Sequence, residues 1–253
     1  MAAFTASASA AHADTQYAGT GAKGTKPRTP LLSLTAHDDG RVTGRVSFAY
    51  RCHGLLNYNL IARVSGRANG AAFTLTGKTR LGSRKIRFTV TGTLAPDAAT
   101  GTIRLRARGC RGYANPFTLR TPSAPGGVPT KPAPNQLMLG MSSQSAGGAA
   151  MPVYARVTNA GRVYVVYAAW LSCGRAHFQR VTVSGSMKVK ADGTFHSAGA
   201  YTLRFVKGPS ERVHIKLRGQ FLADGVKGTL NVRSTARGYR PCTSGTQTWA
   251  ARA

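Results

Sequence analysis

The chain of 253 residues carries 35 Lys plus Arg against 7 Asp plus Glu, a formal net charge of +28. Hydrophobic residues make up 42% and aromatics 8%, enough to build packed cores and to exclude wholesale disorder. The acids are Glu211 and the aspartates 14, 38, 39, 97, 192 and 224, too few for much carboxylate acid/base or hard-metal chemistry, whereas the cationic excess favours anionic polymers, whose neutralisation releases counterions.

In chain order, the opening "MAAFTASASAAHAD" ends in the small-x-small pattern Ala11-His12-Ala13 of a signal-peptidase site, although its apolar region is weak and no Lys or Arg precedes Lys23. Residues 1–13 therefore read as the tail of a signal peptide whose start lies upstream, with the mature chain beginning near Asp14. No later run of about 18 apolar residues predicts a membrane span. Cys52, Cys110, Cys173 and Cys242 allow three pairings and show no zinc spacing, so in an exported chain they read as two structural disulfides.

The elements that follow are strands. Leu32, Leu34 and Ala36 alternate; "HDDG" is a turn; "GRVTGRVSFAYRC", Gly40 to Cys52, is rich in β-branched and aromatic residues. "KIRFTVTGTL" places Ile86, Phe88 and Val90 on one face, and "TIRLRARG" does the same with Ile103, Leu105 and Ala107. A last strand, "CRGYANPFTLR", begins at Cys110 and carries Phe117. The proline-rich "TPSAPGGVPTKPAPN", Thr121 to Asn135, reads as a stiff spacer.

Beyond the spacer the series repeats. Gly40 to Cys52 falls without a gap on "GRVYVVYAAWLSC", Gly161 to Cys173; Gly19 falls on Gly140, and Leu32, Leu34, Ala36 on Val153, Ala155, Val157. After the cysteine the offset drifts, yet Phe73 answers Phe195, and "FTVTGTLAPDAATGTIRL", Phe88 to Leu105, matches "IKLRGQFLADGVKGTLNV", Ile215 to Val232. Asp97 thereby falls on Asp224, Cys110 answers Cys242, and Phe117 answers Trp249. The expected architecture is all-β: a first domain over 14–120, the spacer 121–135 and a second domain over 136–253, each of seven or eight short antiparallel strands in a sandwich or small barrel. Duplication favours the pairings Cys52 with Cys110 and Cys173 with Cys242; each would close a loop of about 60 residues, worth about 4 kcal/mol by loop entropy.

An opening Gly, a strand ending in Cys, a "G-x-[LF]...G-T-[LI]" block and a final "C-x-S-G-x-x-x-W-x-A" resemble a secreted domain of unknown function found in exported actinobacterial proteins. "CTSGTQTWAA", Cys242 to Ala251, fits best; the first copy departs from the pattern with Arg111-Gly112 and Phe117. The resemblance implies export and a β fold and brings no activity with it.

Little in the residues points to catalysis. No G-x-S-x-G elbow occurs, and His37, His53, His177, His196 and His214 never fall on one another when the copies are aligned, which suits structural or exposed roles. "AHDDG", Ala36 to Gly40, could be imagined as a metal corner, but the second copy has "VTNAG" there, so a turn is expected. The matched Asp97 and Asp224 also read as turn residues, since a carboxylate pair split between two domains is a poor acid/base couple. No cofactor site is expected.

Arg104, Arg106 and Arg108 alternate and so project from one strand face, where they could track a polyanion. The second copy has Asn231 and Arg233 at the first two of these positions; its own run, His214, Lys216 and Arg218, lies where the first has Arg87, Thr89 and Thr91. That mismatch favours diffuse surface charge over one inherited site. Tyr50, Tyr58, Tyr113, Tyr164, Tyr167, Trp170 and Tyr239 could stack on bases or sugars but suit core packing better, and no nucleic-acid recognition motif occurs. The expected protein is a secreted or cell-envelope, non-catalytic monomer partnered by anionic cell-surface polymers. The alternatives are an extracellular hydrolase with a site between the domains, or an inhibitor presenting "RGYRPC", Arg237 to Cys242.

Overall fold

A computed structural model describes residues 14–21, 30–52, 55–146, 149–203 and 209–253. The expected signal-peptide remnant, residues 1–13, lies outside the described residues, as does His53; the side chain of Tyr58 is likewise not described.

The first half forms a closed eight-stranded antiparallel barrel in sequential order: β1 (Thr15–Gly21), β2 (Leu31–Ala36), β3 (Arg41–Cys52), β4 (Leu55–Asn69), β5 (Ala72–Leu81), β6 (Arg84–Leu94), β7 (Ala98–Ala107) and β8 (Tyr113–Arg120), with β8 returning to β1. Period-2 alternation places Val42, Val46, Phe48 and Tyr50 of β3, Phe73 and Leu75 of β5, Ile86, Phe88 and Val90 of β6, and Ile103 and Leu105 of β7 in one core. The β8–β1 pairing closes the sheet on itself, so the small barrel prevails over the sandwich. Tight hairpins fix the register. Gly70 (φ 57°) and Gly82 (φ 59°) occupy the first central position of two-residue loops, where a primed turn requires positive φ.

The second half repeats this path with one break. Its strands are β9 (Leu137–Ala146), β10 (Ala149–Val157), β11 (Arg162–Cys173), β12 (Ala176–Val183), β13 (Met187–Lys188), β14 (Thr194–Leu203), β15 (Glu211–Leu222), β16 (Gly225–Ala236), β17 (Cys242–Thr243) and β18 (Gln247–Arg252). The sheet runs β12-β11-β10-β9-β18-β16-β15-β14, and the short β17 pairs with both β11 and β16. Strands β9, β10, β11, β17, β16 and β18 thereby close a six-stranded ring, with β12 and β15 extending from its sides.

Register shows that the halves are one structure twice. Gly19 faces Leu32 as Gly140 faces Val153; Gly92 faces Gly101 as Gly219 faces Gly228; Gly101 faces Phe117 as Gly228 faces Trp249. The glycines are needed under aromatic rings. A Cβ at Gly101 would lie 2.8 Å from the Phe117 ring, and one at Gly219 would lie 2.3 Å from the Phe195 ring. Phe73 and Phe117 thus cover a glycine pair inside the first barrel, and Phe195 and Trp249 cover its counterpart in the second. The late aromatic of each copy is a core anchor.

Each half holds one disulfide, Cys52–Cys110 and Cys173–Cys242, and no cysteine is free, as an oxidising compartment allows. No helix among the described residues is long and apolar enough to cross a membrane. The matched aspartates also have matched partners: Asp97 pairs with Arg120 at 3.6 Å, and Asp224 pairs with Arg252 at 2.8 Å. Each ties the turn between the two preceding strands to the last strand of its barrel, the expected turn role.

The barrels pack side by side. Leu31 of β2 shares a cluster with Leu139, Met151, Tyr154, Val166 and Ala168, and Ala18 of β1 packs with Met141 and Ala150. Strands β3 and β11 are therefore buried on both faces through their middles; the nearly unbroken apolar run of β11 reflects this, whereas β3 buries Arg45 and Ser47 there. The proline-rich segment lies against the second barrel, where the Gly126 N–H donates to Asp224 Oδ1, the Thr130 N–H donates to the Phe221 carbonyl, and Arg252 Nη2 donates to the Ala124 carbonyl.

The buried phenols supply an alkaline test. Burial raises the pKa of Tyr154 and Tyr167 far above the ordinary 10.0, and neither hydroxyl has a hydrogen-bond partner among the described residues. Unfolded chains lose these protons near pH 10 while the folded protein keeps them, so the stability they contribute is complete below pH 10 and is lost as pH rises above it. Phenolate absorbance should therefore show a late phase coinciding with loss of the circular dichroism signal. Full titration of all tyrosines with the native signal intact would contradict this packing.

Candidate polyanion-binding faces

Cross-strand register assembles a row of cations that no single strand contains. On the outside of the first barrel Arg45 faces Arg63, Arg63 faces Lys78, Lys78 faces Arg87, and Arg87 faces Arg106. Adjacent strands lie about 4.8 Å apart, so the row spans roughly 19 Å of surface across five strands. Like charges directly opposite one another destabilise a sheet, each pair by about 0.2–1 kcal/mol. Three of these pairs, running from Arg63 to Arg106, stand in solvent with no acid in the row, an arrangement that folding alone opposes.

Two residues along each strand runs a parallel row, Thr43, Ser65, Thr76, Thr89 and Arg104, which sets hydroxyl groups beside the cations. Arg63, Lys78, Arg87, Arg104 and Arg106 are exposed. Arg45 is different: it is only 7% exposed, and its guanidinium sits 5.5 Å from the centroid of the Trp170 ring of the other barrel. Desolvation first, and the nearby Arg63 second, lower its pKa. It starts the row at the seam between barrels, and the remaining members run out into solvent. A charged outer face of this kind is unlike the apolar band of a bilayer-spanning barrel.

Of the residues singled out from sequence, Arg104 and Arg106 project together from β7, while Arg108 lies beyond the end of that strand, where its carbonyl accepts from Arg84 Nη1. The sequence reading missed Arg63, Lys78 and Arg87 because their alignment is a property of pairing across hairpins. The signal was nevertheless present in the two-residue loops "GA" and "GS", which fix those registers.

In the second barrel the basic side chains run along a strand. Arg212, His214, Lys216 and Arg218 alternate outward on β15, about 6.7 Å apart. His214 faces Arg233, and His196 faces Arg218. A groove of about 730 Å³ is lined by His214, Lys216, Arg218, Asn231, Arg233 and Thr246 among others. Alignment by register also shows that His214 and Arg233 occupy the positions of Arg87 and Arg106. One basic cross-strand pair is therefore common to both copies, although the longer rows differ.

Other candidates are placed elsewhere. His37 Nδ1 lies 2.8 Å from Asp14 Oδ2, and its Nε2 lies 3.0 Å from Thr43 Oγ1. This hydroxyl–imidazole–carboxylate line ties the start of β1 to the β2–β3 hairpin and lies outside the β15–β16 groove. Asp39 accepts from the Arg41 N–H, and that bond leads in holding its pKa below the usual carboxylate value; "AHDDG" is a turn. No group of three or more metal-ligating side chains occurs among the described residues. Tyr50, Tyr164 and Tyr167 pack in or against the cores, Trp170 stacks on His177 at 6.1 Å, and Tyr113 hydrogen-bonds Asn115. The Arg237–Pro241 loop is exposed, with Tyr239 69% accessible, and leads into the disulfide at Cys242. No protein-family model, curated protein or solved structure matches the chain.

Proposed function

We propose that this is a secreted or cell-envelope, non-catalytic protein whose first barrel binds an anionic polymer along the exposed Arg63–Lys78–Arg87–Arg106 row. The observation that carries this reading is the exposed row itself, three directly opposed like-charge pairs without an acid. Export is supported by the two disulfides and by the likeness of the closing motifs to those of exported actinobacterial domains. Hydroxyls rather than exposed aromatic rings flank the cations, which favours a hydroxyl-rich polyanion such as an acidic glycan or polyol phosphate over unpaired nucleic acid, where bases need stacking partners.

The test is heparin affinity measured against salt. Binding should weaken linearly in log–log form, as counterion release requires. Replacing Lys78, Arg87 and Arg106 by Gln should lower affinity at least 10-fold and flatten the slope, at roughly one unit per lost cation. A control removing Lys131, Arg237 and Arg240, exposed cations off the row, should change affinity less than 3-fold. Equal effects of the two triple variants would mean that net charge, not the row, does the binding.

The exposed Arg237–Pro241 loop beside a disulfide supports a second reading, an inhibitor of a secreted enzyme. Inhibition of a secreted protease that disappears with Tyr239→Ala would favour it.

A further inference from the structure

The strand order gives the two cationic faces a fixed relation. In the eight-membered ring of the first barrel β6 stands four steps from β2 in either direction, so the two are diametrically opposed. In the six-membered ring of the second, β16 stands three steps from β10 by way of β9 and β18, and three by way of β11 and β17. The barrels meet chiefly through β1 and β2 on one side and β10, with its neighbours β9 and β11, on the other, with lesser contacts of β8 on β9, β3 on β10 and β4 on β12. The interface therefore lies at the inner pole of each barrel, and β6 and β16 mark the two outer poles. Arg87 is on β6 and Arg106 on the adjacent β7; Arg233 is on β16, with His214, Lys216 and Arg218 on the adjacent β15. The basic pair common to the two copies sits at both outer poles of the molecule.

We infer that one molecule bridges two anionic polymer chains, one held at each pole. This rests on the polyanion reading above and adds a second site, the β15–β16 groove, with a function for the duplication. A single chain lying on one pole turns away from the other, because the packed interface separates them. That interface is a shared apolar core, with Leu31, Met151 and Val166 each no more than 1% exposed, so the poles cannot swing onto the same side. The groove suits a linear chain: its cations are spaced along β15, and Thr229, Asn231, Thr235 and Thr246 supply hydrogen-bonding groups on its opposite wall. Bridging needs no oligomer, only a rigid molecule with two binding ends, and it converts individually weak contacts into a network through multivalency.

The experiment is a two-layer capture. Heparin is fixed to a sensor, the full-length protein is bound and rinsed, and fluorescent heparin is then passed over it. The wild-type protein is expected to retain the second heparin. Two variants separate the poles: K78Q/R87Q/R106Q and K216Q/R218Q/R233Q, all at exposed outward positions. At equal protein loading each should capture at least 10-fold less of the second heparin while still binding the first layer through its intact pole. The off-pole variant K131Q/K188Q/K190Q, its two last lysines on or just past β13 beside β11, should capture like wild type, which removes net charge as the cause. Wild-type protein that binds the first layer and captures no second chain overturns bridging and leaves the polyanion reading standing. Capture undiminished in either pole variant overturns it as well. Failure to bind the first layer at all sinks the underlying reading instead.

Discussion

Replacing Cys173 and Cys242 by Ser should cost the second barrel about 4 kcal/mol, the loop-entropy value for a bond that closes a separation of 69 residues. It should do more than the equivalent change in the first barrel. Cys242 lies in β17, the two-residue strand whose pairing with β11 and β16 completes the six-stranded ring, so the disulfide holds the closure itself. In the first barrel the closure is β1 against β8, a four-pair register, and Cys52–Cys110 staples the end of β3 to the turn before β8. Losing that bond removes a similar entropic term over 58 residues but leaves the ring shut. Hydrogen exchange should therefore show C173S/C242S opening β17 and the neighbouring parts of β11 and β16. C52S/C110S should lower the melting temperature, by roughly 10 °C, without selective exposure of β8. Equal and uniform loss of protection in both variants would show that the second disulfide is not the closing element.

That asymmetry also shows where sequence reasoning stops. Local pattern was enough for the strands, the turns, the duplication and the pairing of the cysteines, because alternation, Gly-containing turns and repeated landmarks are all local signals. The same frame, Cys242 to Trp249 against Cys110 to Phe117, identified the last strand of each copy. It did not reveal that the second copy splits that strand into β17 and β18, since the split follows from β17 crossing to β11, a contact distant in the chain. The cation row was hidden for a related reason. Arg63, Lys78, Arg87 and Arg106 are scattered in sequence and fall side by side only when three hairpins are folded in register. The sequence reading found the alternating Arg104–Arg106 face, which is local, and judged the charge diffuse because it compared runs along strands. Compared across strands, Arg87–Arg106 and His214–Arg233 coincide. The packing of barrel on barrel was not legible either: the twofold burial of β3 and β11 reads equally well as a buried central strand.

Trp249→Ala should be the most damaging single substitution in the second core, at about 3–5 kcal/mol. Trp249 is 2% exposed, lies 6.4 Å from the Phe195 ring and covers Gly228 across the β16–β18 pair. Truncation leaves a void that the glycine beneath cannot fill, and Gly228 cannot be enlarged in compensation, because a Cβ there would lie 1.9 Å from the Arg218 carbonyl oxygen. Trp249→Phe is the informative partner. The first barrel already uses Phe117 at this position, over a glycine pair in the same register, and the indole Nε1–H of Trp249 is buried without a hydrogen-bond partner among the described residues. Phenylalanine sheds that unsatisfied donor while keeping a ring over the glycines, so the change should cost less than about 1.5 kcal/mol. Denaturant unfolding of both variants decides the matter: a large loss for Ala with a small one for Phe marks the ring as the anchor of the closing strand. Similar losses would mean that the second barrel depends on the full indole shape, and that the two copies have diverged in the core as they have in their cations. Because Thr229 stands on the outer side of β16, opposite Arg218 of β15, the ring that fixes β16 against β18 also fixes one wall of the cationic groove. A folded Trp249→Ala protein should then lose binding at the second pole before it loses binding at the first.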